Sequence, residues 1–446
     1  MINDLKPYPA MKDSGLPWLG EVPEHWKIRR GKTLFSESDL PVRQGDEIVT
    51  CFRDGEVTLR KNRRMSGFMV ALHEAGYQGV RAGQLVIHAM DAFAGAIGVS
   101  DCDGKCTPEY IVLNPRSNSL CAGYFSQLLR HAARQQFILV ECPAVRERAP
   151  RFRYPNFGRM RMPMPPASEQ FAIIRFLNHA DRKIRRYIRA KQKLIKLLEE
   201  QITVRASIAM RHSDCATQRL GRVVTGHIRT VSRENPETYL ALGLYNRGRG
   251  IFHKPPTLGA DLGDSTFSWV EPGDLVISGQ FAWEGAVALA GSTEKGTVVS
   301  HRYYLLREIK GLTTAPYLWA LLRSDFGSML LSQHSRGAAG RNRPLNLRSL
   351  LKEQVPIPPY EMQMAVDDEL STTAPLRNQA AQAIERLHEY RTRLIADVVT
   401  GKLDVREAAA GLPEEEPVAD EALSEPYDQD DAEDPLEDES FLSEEE

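Results

Sequence analysis

The chain has 446 residues, of which 42% are hydrophobic and 26% charged, and a formal net charge of −2, values typical of a globular protein of two to four domains. It contains no run of about 18 apolar residues, and its first residues lack the basic-then-apolar pattern of a signal peptide. We therefore expect a cytoplasmic protein without a membrane span, and six cysteines in so long a chain do not indicate a disulfide framework.

Residues 1–165 have the pattern of a mixed α/β domain. Short apolar runs such as Leu85-Val86-Ile87 and Tyr110-Ile111-Val112-Leu113 predict strands, because they are rich in β-branched residues and bounded by turn residues. Residues 124–130 have the apolar spacing of a helix. Pro163-Met164-Pro165-Pro166 ends the domain, since proline removes a backbone donor and disfavours helix in the residue before it.

Residues 166–212 predict one long helix. Apolar residues recur at two heptad positions, which is typical of a coiled-coil seam with a few polar interruptions. The first position holds Ile174, Asp181, Ile188, Ile195, Ile202 and Ala209, and the second holds Leu177, Ile184, Lys191, Leu198 and Arg205. About 40 residues of helix would extend roughly 60 Å.

Residues 213–358 repeat the first domain. Gly83-Gln84-Leu85-Val86-Ile87 recurs 190 residues later as Gly273-Asp274-Leu275-Val276-Ile277. Pro163-Met164-Pro165-Pro166 recurs 193 residues later as Pro356-Ile357-Pro358-Pro359. Five such segments, among them Tyr124–Arg130 with its counterpart Tyr317–Arg323, keep their order with one small change of offset, so the sequence predicts two copies of one fold.

Residues 359–411 predict a second long helix. Its two heptad positions hold Ala380, Leu387 and Leu394, and Ile384, Arg391 and Val398. We expect Pro375 to kink or restart this helix and Gly401 to end it. The apolar face of either long helix could pack on a neighbouring domain. However, the two helices occupy equivalent places in a duplicated chain, which favours pairing with each other. The predicted fold is α+β, a pseudo-two-fold repeat of two mixed domains whose long helices form an antiparallel coiled coil.

Residues 412–446 form an acidic tail, with 17 Asp or Glu and no Lys or Arg. Removing them leaves 57 basic and 42 acidic residues in the body, a net charge of +15 that suits a polyanionic partner. The tail has too few large apolar residues to build a core, so we expect disorder. The favoured interpretation is a solubilising tail; the alternative is a tail that competes with DNA for the basic surface.

Duplication with a helical spacer favours a reader of double-stranded DNA, since two similar surfaces at a fixed distance can contact two parts of one duplex. Arg can bond guanine bidentately and Asn can bond adenine, although phosphate contact or plain solvation is the alternative for any single residue. The candidate DNA-binding residues are Arg60, Lys61, Arg63, Arg64, Arg148, Arg151 and Arg153 in the first copy, and Arg247, Arg249, Lys254, Arg336, Arg341, Asn342 and Arg343 in the second.

Three parts of the sequence resemble the specificity (S) subunits of type I restriction–modification systems. They are the opening stretch from Tyr8 to Trp26, the two Pro-x-Pro-Pro junctions followed by Gln170 and Gln363, and the end of the second helix from Tyr390 to Arg406. The resemblance covers about residues 8–406 and leaves the acidic tail unexplained. The opening stretch also fits a purely structural part, a cap whose Trp18 and Trp26 are buried against the first domain.

The resemblance implies a non-catalytic subunit with two target-recognition domains, each reading one half of a bipartite target. It also implies two modification subunits that use S-adenosylmethionine, and restriction subunits that use ATP and Mg, with the helices docking the modification subunits and setting the gap. One added helical turn of about 5.4 Å would shift that gap by one to two base pairs. The alternatives are a self-sufficient adenine methyltransferase or endonuclease, and a scaffold that binds nucleic acid without sequence preference.

No catalytic, cofactor-binding or metal-ligating residue is predicted. Ile357-Pro358-Pro359-Tyr360 resembles an amino-methyltransferase motif, but Ile357 cannot accept a hydrogen bond from the target amine. No phosphate-binding glycine motif is present. Cys102, Cys106, Cys121 and Cys142 have atypical spacing for zinc, and the second copy has no cysteine at the equivalent positions, so we expect buried thiols.

Overall fold

The computed structural model describes residues 5–63, 75–142, 151–232, 237–246, 248–263, 265–337 and 343–413. The chain divides into two compact units. Unit 1 comprises the described residues up to Arg189 together with those from Ile384 onwards, and unit 2 comprises those within Ala190–Ala383. Each unit therefore contains parts of both long helices.

Unit 1 contains short strands and helices that precede the first long helix. The strands are β1 (Met11–Asp13), β2 (Glu21–Pro23), β3 (Lys27–Arg30), β4 (Phe35–Glu37), β5 (Val49–Cys51), β6 (Val57–Leu59), β7 (Gln78–Val80), β8 (Leu85–His88), β9 (Ile97–Val99), β10 (Gly104–Cys106), β11 (Tyr110–Pro115) and β12 (Arg161–Met164). The helices are α1 (Gly31–Leu34), α2 (Arg60–Arg63), α3 (Ala122–Arg134), α4 (Phe137–Val140), α5 (Tyr154–Arg159) and the long α6 (Ala167–Met210), which continues into unit 2.

Unit 2 repeats most of this order in its described residues, without the β1–β2 hairpin and α2 and with an additional pair of short strands, Thr238–Tyr239 and Thr257–Leu258. Its strands are β13 (Ala216–Arg219), β14 (Val224–Gly226), β15 (Thr238–Tyr239), β16 (Leu242–Leu244), β17 (Ile251–His253), β18 (Thr257–Leu258), β19 (Phe267–Trp269), β20 (Leu275–Ser278), β21 (Val287–Leu289), β22 (Val298–Ser300), β23 (Tyr303–Glu308) and β24 (Gln354–Ile357). Its helices are α7 (Leu220–Val223), α8 (Ala315–Arg323), α9 (Asp325–His334), α10 (Leu347–Leu350) and the long α11 (Tyr360–Val399), which ends in unit 1 and is followed there by α12 (Arg406–Ala410).

The central sheets of the two units have the same topology. The strand order is β4-β11-β8-β9 in unit 1 and β14-β23-β20-β21 in unit 2, and every neighbouring pair is antiparallel. The registers agree as well, since Leu113 pairs with Leu85 in one sheet and Leu306 pairs with Leu275 in the other. The internal repeat predicted from the sequence is confirmed.

Both faces of each central sheet are buried, which explains why the strand sequences are continuously apolar rather than alternating. In unit 1 Leu85 and Ile87 face the main core with α3, while Val86 faces a smaller core beneath the β5–β6 hairpin. Unit 2 divides Leu275 and Val276 between its two cores in the same way. The smaller core of each unit therefore supports a hairpin on the side of the sheet away from the main core.

The long helices pair antiparallel, as the sequence predicts. In unit 1 the first half of α6 lies against the last half of α11, and Asp181 accepts a hydrogen bond from Arg391, so two polar seam positions satisfy each other. Within unit 2 the last half of α6 meets the first half of α11, where Arg205 lies 3.5 Å from Glu369. Pro375 lies inside α11, so of the two expected outcomes, a kink or a restart, the helix does not restart there.

The last turn of α11 ends where expected. Gly401 has a φ of +76°, a conformation that glycine adopts without steric cost, directly after the helix. In the described part of the chain, no helix combines the length and apolar character needed to cross a membrane.

Candidate nucleic-acid interface

The two hairpins that cover the smaller cores carry or directly precede five of the nine described candidate residues. They are β5–β6 in unit 1 and β16–β17 in unit 2, and we call their turns, residues 52–56 and 245–250, the hairpin tips. Phe52 and Tyr245 begin the two tips at equivalent positions, 193 residues apart. Both aromatic rings are covered by arginine, with Arg63 Cζ 4.2 Å from the Phe52 centroid and Arg249 Cζ 5.2 Å from that of Tyr245.

The arginine pair beneath the tips was not predicted as part of the site. Arg130 lies under Gly55, and a Cβ at that glycine would come within 2.2 Å of Arg130 Nη1. Arg323 lies under Gly248 in the same way, with a distance of 2.8 Å from a Cβ to Nη2. Both glycines have positive φ, and both arginines end repeated segments that the sequence comparison had already aligned. The match between these two segments was therefore the feature of the sequence that could have identified Arg130 and Arg323 as part of the site.

The two supporting arginines have different hydrogen-bond partners. Arg323 Nη2 donates to Glu199 Oε2 at 2.7 Å and its guanidinium lies over the Trp319 ring. Arg130 Nη2 is 3.4 Å from the Arg53 carbonyl, and burial lowers the pKa of Arg130 to about 10. The Arg130 guanidinium of unit 1 is therefore largely buried and bonded to a backbone carbonyl, whereas the Arg323 guanidinium of unit 2 is paired with a carboxylate.

The candidates of α2 are held against the β5–β6 hairpin. Arg63 Nη1 donates to Asp54 at 2.7 Å and to Glu56 at 2.9 Å, and its side chain is mostly buried. Arg60 Nε donates to Thr50, and Lys61 pairs with Glu47. Arg63 thus braces the hairpin tip, whereas the Lys61 ammonium lies in a mostly exposed side chain that can also meet a phosphate.

Arg151 and Arg153 share one acidic partner. Arg153 Nη2 lies 3.2 Å from Glu109 Oε2, and its Nη1 donates to the Pro108 carbonyl at 3.0 Å. Arg151 Nη1 lies 3.6 Å from Glu109 Oε1. Both side chains remain partly exposed, so the two guanidiniums form a small surface cluster at the start of β11 with a net positive charge.

The described candidates of unit 2 lie on the hairpin and beside one loop. Arg249 Nε donates to the Asn246 carbonyl at the hairpin tip, and Lys254 directly follows β17. Arg343 lies over the Trp283 ring at 4.6 Å, and Arg336 follows α9, where its Nε donates to the Gln333 carbonyl. The remaining candidates, Arg64, Arg148, Arg247, Arg341 and Asn342, lie outside the described residues.

Each Pro-rich junction is fixed to its long helix by a buried glutamine. Gln170 Nε2 donates to the Pro165 carbonyl at 2.8 Å, and Gln363 Nε2 donates to the Pro358 carbonyl at the same distance. Their Oε1 atoms accept from the backbone N–H of Cys121 and Thr314, which precede α3 and α8. The repeated glutamine therefore sets the angle between each domain and the helix that follows it.

Unit 1 has an additional clamp at the start of α6. The buried Glu169 carboxylate accepts hydrogen bonds from the Tyr8 hydroxyl and from Trp26 Nε1, and lies 2.8 Å from His25 Nε2. Trp26 is fully buried and Trp18 partly buried, so the opening stretch packs on the first domain as a cap. Met362 occupies the equivalent position in unit 2.

A cleft of about 500 Å³ lies in unit 1 between the end of α3 and the last turns of α11. His131, Arg134 and His388 are among its lining residues. Burial lowers the pKa of both histidines, and the neighbouring cations Arg134 and Arg391 lower it further. The cleft therefore favours neutral imidazoles beside fixed positive charge.

The described residues contain no group of three His, Cys, Asp or Glu side chains placed to hold a metal ion. Burial raises the pKa of Cys106 to about 12 and that of Cys142 to about 11. Since zinc binds the thiolate, these environments disfavour the form that a metal would need.

The sequence matches no protein-family model, and no curated protein matches it significantly. A chain from a type I R-M system, solved in a study of complex assembly and conformational transition, is 16% identical with a TM-score of 0.48, covering 85% of this chain and 98% of that one. The HsdS subunit from Thermoanaerobacter tengcongensis is 16% identical with a TM-score of 0.38, covering 86% and 98%. The type I S subunit from M. genitalium is 13% identical with a TM-score of 0.41, covering 84% and 96%.

These similar structures come from type I restriction–modification systems, and two of them are the S subunit. This is the family that the opening stretch, the Pro-rich junctions and the end of the second helix resemble.

Proposed function

We propose that this chain is the DNA-specificity subunit of a type I restriction–modification complex. The observation that carries the proposal is the repetition of one α/β unit, with its central sheet, Pro-rich junction, buried glutamine and long helix, inside a single chain. Two similar units with different surface residues can read two different half-sites. The antiparallel helices keep the gap between the half-sites constant.

The hairpin tips are the parts of each unit that we assign to the duplex. Each tip is a short turn supported from below by a partly buried arginine and covered by a second arginine, an arrangement that favours a fixed backbone while the outer residues can vary. In unit 2 Arg343 and Lys254 add positive charge, and in unit 1 Lys61 and Arg151 do the same. Lys61, Arg151 and Lys254 supply phosphate contacts, and base reading falls to the variable tip residues and to Arg343.

The helices dock the modification subunits in this proposal. In unit 2 the outer face of α6 exposes four aliphatic side chains at helical spacing, with exposed fractions of 37 to 57%: Leu194, Leu197, Val204 and Ile208. At the starts of the two long helices, Phe171 and Met364 are exposed at equivalent positions. An exposed apolar stripe beside a seam that is already buried fits a further helix from a partner.

The chain itself acts without catalysis in this proposal, and S-adenosylmethionine, ATP and Mg are bound by partner subunits in the cytoplasm. Incubation of the purified chain alone with labelled S-adenosylmethionine and plasmid tests this directly. We expect no methyl transfer and no cleavage. Transfer without a partner would assign the chain to the self-sufficient methyltransferases instead.

Selection from a pool of duplexes with a randomised central region tests the DNA-reading proposal. We expect two short conserved blocks separated by a gap of constant length and random sequence. The affinity for the selected duplex should fall steeply with salt, as expected for roughly six to ten neutralised phosphates. Enrichment of one block only, or of none, would contradict the proposal, and the latter would favour a scaffold without sequence preference.

Variants in single units make this selection sharper. Arg343→Ala should weaken or relax only one block, and Lys61→Ala should lower affinity without changing either block. Arg29→Ala, on an exposed strand residue away from the hairpin tips, is a matched control for loss of one positive charge. Loss of both blocks with Arg343→Ala alone would show that the two units do not read separately.

A further inference from the structure

The cleft of unit 1 between the end of α3 and the last turns of α11 has no part in the proposed function. Side chains that can donate hydrogen bonds line it from both helices: His131, Arg134, His388, Thr392 and Arg393. The Arg134 side chain is open to solvent, but partial loss of hydration against the surrounding protein, and then the neighbouring Arg391, lower the pKa of its guanidinium. Within the described residues, Arg134 forms no hydrogen bond or ion pair. The cleft therefore holds a positive charge with which no described carboxylate pairs.

A second guanidinium lies one helical turn earlier on α3. Burial is the main reason that the pKa of Arg130 falls to about 10. The cations Arg134 and Arg391 act in the same direction, and Asp54 opposes them. The Nε atom of Arg130 is buried and has no hydrogen-bond partner among the described residues. Two guanidiniums of α3 therefore lie close together in surroundings that disfavour their charge.

Two carboxylates lie on the α11 side of the cleft. Asp397 is 3.6 Å from Arg393 and 3.8 Å from Lys402, so its charge already serves two cations. Glu389 is an exposed lining residue. The guanidiniums and imidazoles of the lining outnumber this one carboxylate four to one, so the cleft favours an anion over a cation.

Unit 2 shows which group occupies the equivalent place. The two long helices match at an offset of 193 residues, so Thr392 corresponds to Glu199. At the same offset, Arg130 corresponds to Arg323. Arg323 Nη2 donates to Glu199 Oε2 at 2.7 Å, and Arg377 Nη1 lies 4.0 Å from Glu199 Oε1. In unit 2 an internal carboxylate therefore pairs with the guanidinium, whereas unit 1 has a threonine at that position.

Unit 1 also has nitrogen donors at three positions where unit 2 has none. The cleft residues His131, Arg134 and His388 correspond to Ser324, Gly327 and Ile195. A Cβ at position 327 would come within 2.2 Å of the Leu321 carbonyl oxygen, so a side chain cannot replace this glycine unless the backbone shifts. Unit 2 therefore fills the place with its own carboxylate, and unit 1 leaves a cleft lined by nitrogen donors.

We propose that the cleft of unit 1 binds the phosphate group of a small molecule, at the place that corresponds to the Glu199 carboxylate of unit 2. A phosphate group has three strong acceptor oxygens and a charge of about −1.5 to −2, so it can accept from Arg134 and from both imidazoles at once. A carboxylate has only two oxygens for these three donors. The volume of about 500 Å³ is that of an ordinary small-molecule site. The bound group joins α3 to α11 and so stabilises unit 1 alone.

Titration of the full-length chain with inorganic phosphate at constant ionic strength tests this proposal. We expect one site with a dissociation constant below about 1 mM, and acetate, the carboxylate probe, should bind about tenfold more weakly. A nucleoside monophosphate distinguishes phosphate itself from a phosphate ester: tighter binding of the ester assigns the rest of the cleft to its organic part, and equal binding assigns the site to phosphate alone. Absence of saturable phosphate binding, or equally tight binding of acetate, would overturn the proposal.

Two variants of nearly equal shape at Thr392 place the ligand. Thr392→Glu introduces the carboxylate that unit 2 has there, so it should weaken phosphate binding about tenfold or more and protect α3 from hydrogen exchange without any ligand. Thr392→Gln adds a side chain of the same length without charge and should change the affinity less than about threefold. Equal losses of affinity in the two variants would show that the introduced charge does not compete with the phosphate, contrary to the proposal.

Arg134→Gln tests the donor directly. It should weaken phosphate binding about tenfold, the loss expected for one hydrogen bond to a charged group, whereas Arg29→Gln on an exposed residue of β3 should have no effect. Phosphate should protect α3 and the last turns of α11 from hydrogen exchange and leave α8 unchanged. Binding to a duplex of unrelated sequence covers the other source of phosphate groups. A several-fold weaker affinity for that duplex in Arg134→Gln than in Arg29→Gln would assign the cleft to the DNA backbone and overturn the proposal.

Discussion

Units 1 and 2 share one backbone arrangement but differ in the polar partners of equivalent side chains. Both have one sheet order, one register, a glutamine at the Pro-rich junction and an arginine beneath the hairpin tip. The differences occur in pairs. Gln84 and Asn114 of unit 1 hydrogen-bond to each other, and the equivalent Asp274 and Arg307 of unit 2 form an ion pair. This paired change indicates that the two positions are energetically coupled in each unit.

The second difference concerns the start of the long helices. Glu169 of unit 1 receives the opening stretch through Tyr8, His25 and Trp26, whereas unit 2 has Met362 there. The Glu169 carboxylate of unit 1 binds the opening stretch, for which unit 2 has no counterpart. The two units therefore share their apolar cores and junction glutamines. They differ in their buried carboxylates, each of which has polar partners that the other unit lacks.

The largest effect is expected at Asp274, whose carboxylate is fully buried. It accepts hydrogen bonds from Arg229 at 2.7 and 3.1 Å and from Arg307 Nε at 3.0 Å. Asp274→Gln should destabilise unit 2 by about 4 kcal/mol, because it leaves two guanidiniums without their counter-charge. Native-state hydrogen exchange of β20 and β23 measures the loss, with unit 1 as the internal reference.

The equivalent pair of unit 1 provides a compensating change. Adding Arg307→Asn to Asp274→Gln places the unit 1 pair in unit 2 and should recover at least about 1 kcal/mol, since one unpaired cation is removed. If the double variant is no more stable than Asp274→Gln, the two positions are not coupled and the paired-change interpretation is wrong.

Glu169→Ala should give the next largest effect, confined to unit 1. It removes the acceptor of the buried Tyr8 hydroxyl and Trp26 indole N–H, and two unsatisfied buried donors correspond to about 3 kcal/mol. Protection of β1, β2 and the start of α6 should fall in hydrogen exchange. Met362→Ala is the matched variant, and an equally large loss of protection there would show that the site does not depend on the cap.

The junction glutamines should behave alike. Gln170→Ala and Gln363→Ala each remove an acceptor for a backbone N–H and a donor to a proline carbonyl, so each should cost its own unit about 2 kcal/mol. Thermal unfolding and hydrogen exchange of α3 and α8 measure the two losses. The double variant should show additive effects within about 0.5 kcal/mol, and strong coupling would contradict two independently folded junctions.

The sequence was sufficient to predict the repeated fold because matching segments and heptad spacing can be recognised without knowing which residues are in contact. The strands at Leu85 and Tyr110 and the antiparallel helices were predicted correctly. Pro375 was expected to kink or restart the second helix, and α11 continues through it without a restart. Heptad spacing therefore predicted where the helix lies but left two outcomes open at the proline.

The candidate site was predicted less well because charge in a sequence does not reveal its partner. Arg63 was chosen for its basic neighbours, yet Asp54, Glu56 and the Phe52 ring hold it within the hairpin. Arg130 was aligned with Arg323 but not assigned, because its role depends on the approach of Gly55, which is distant in sequence. Non-local contacts of this kind have no periodic signature.

The smallest predicted effect is a difference in acid sensitivity between the units. His131 of unit 1 is buried beside Arg134 and Lys402, with Asp397 opposing them, and burial is the main reason that its pKa lies below the ordinary value. Ser324 occupies the equivalent position in unit 2, where its hydroxyl accepts from the Gly327 N–H and caps α9. Unit 1 therefore contains a titratable group at a place where unit 2 has none.

The sign follows from proton binding. Because the pKa of His131 is lower in the folded state, the unfolded chain takes up a proton first as pH falls below about 6.5. The stability that neutral His131 contributes is fully present above that pH and is lost as pH falls towards the folded pKa. Hydrogen exchange of α3 should show this loss, that of α8 should show less, and His131→Gln should flatten the α3 profile. An unchanged profile in that variant would assign the acid sensitivity of unit 1 to His388, the other histidine of the cleft, whose pKa is lowered in the same direction.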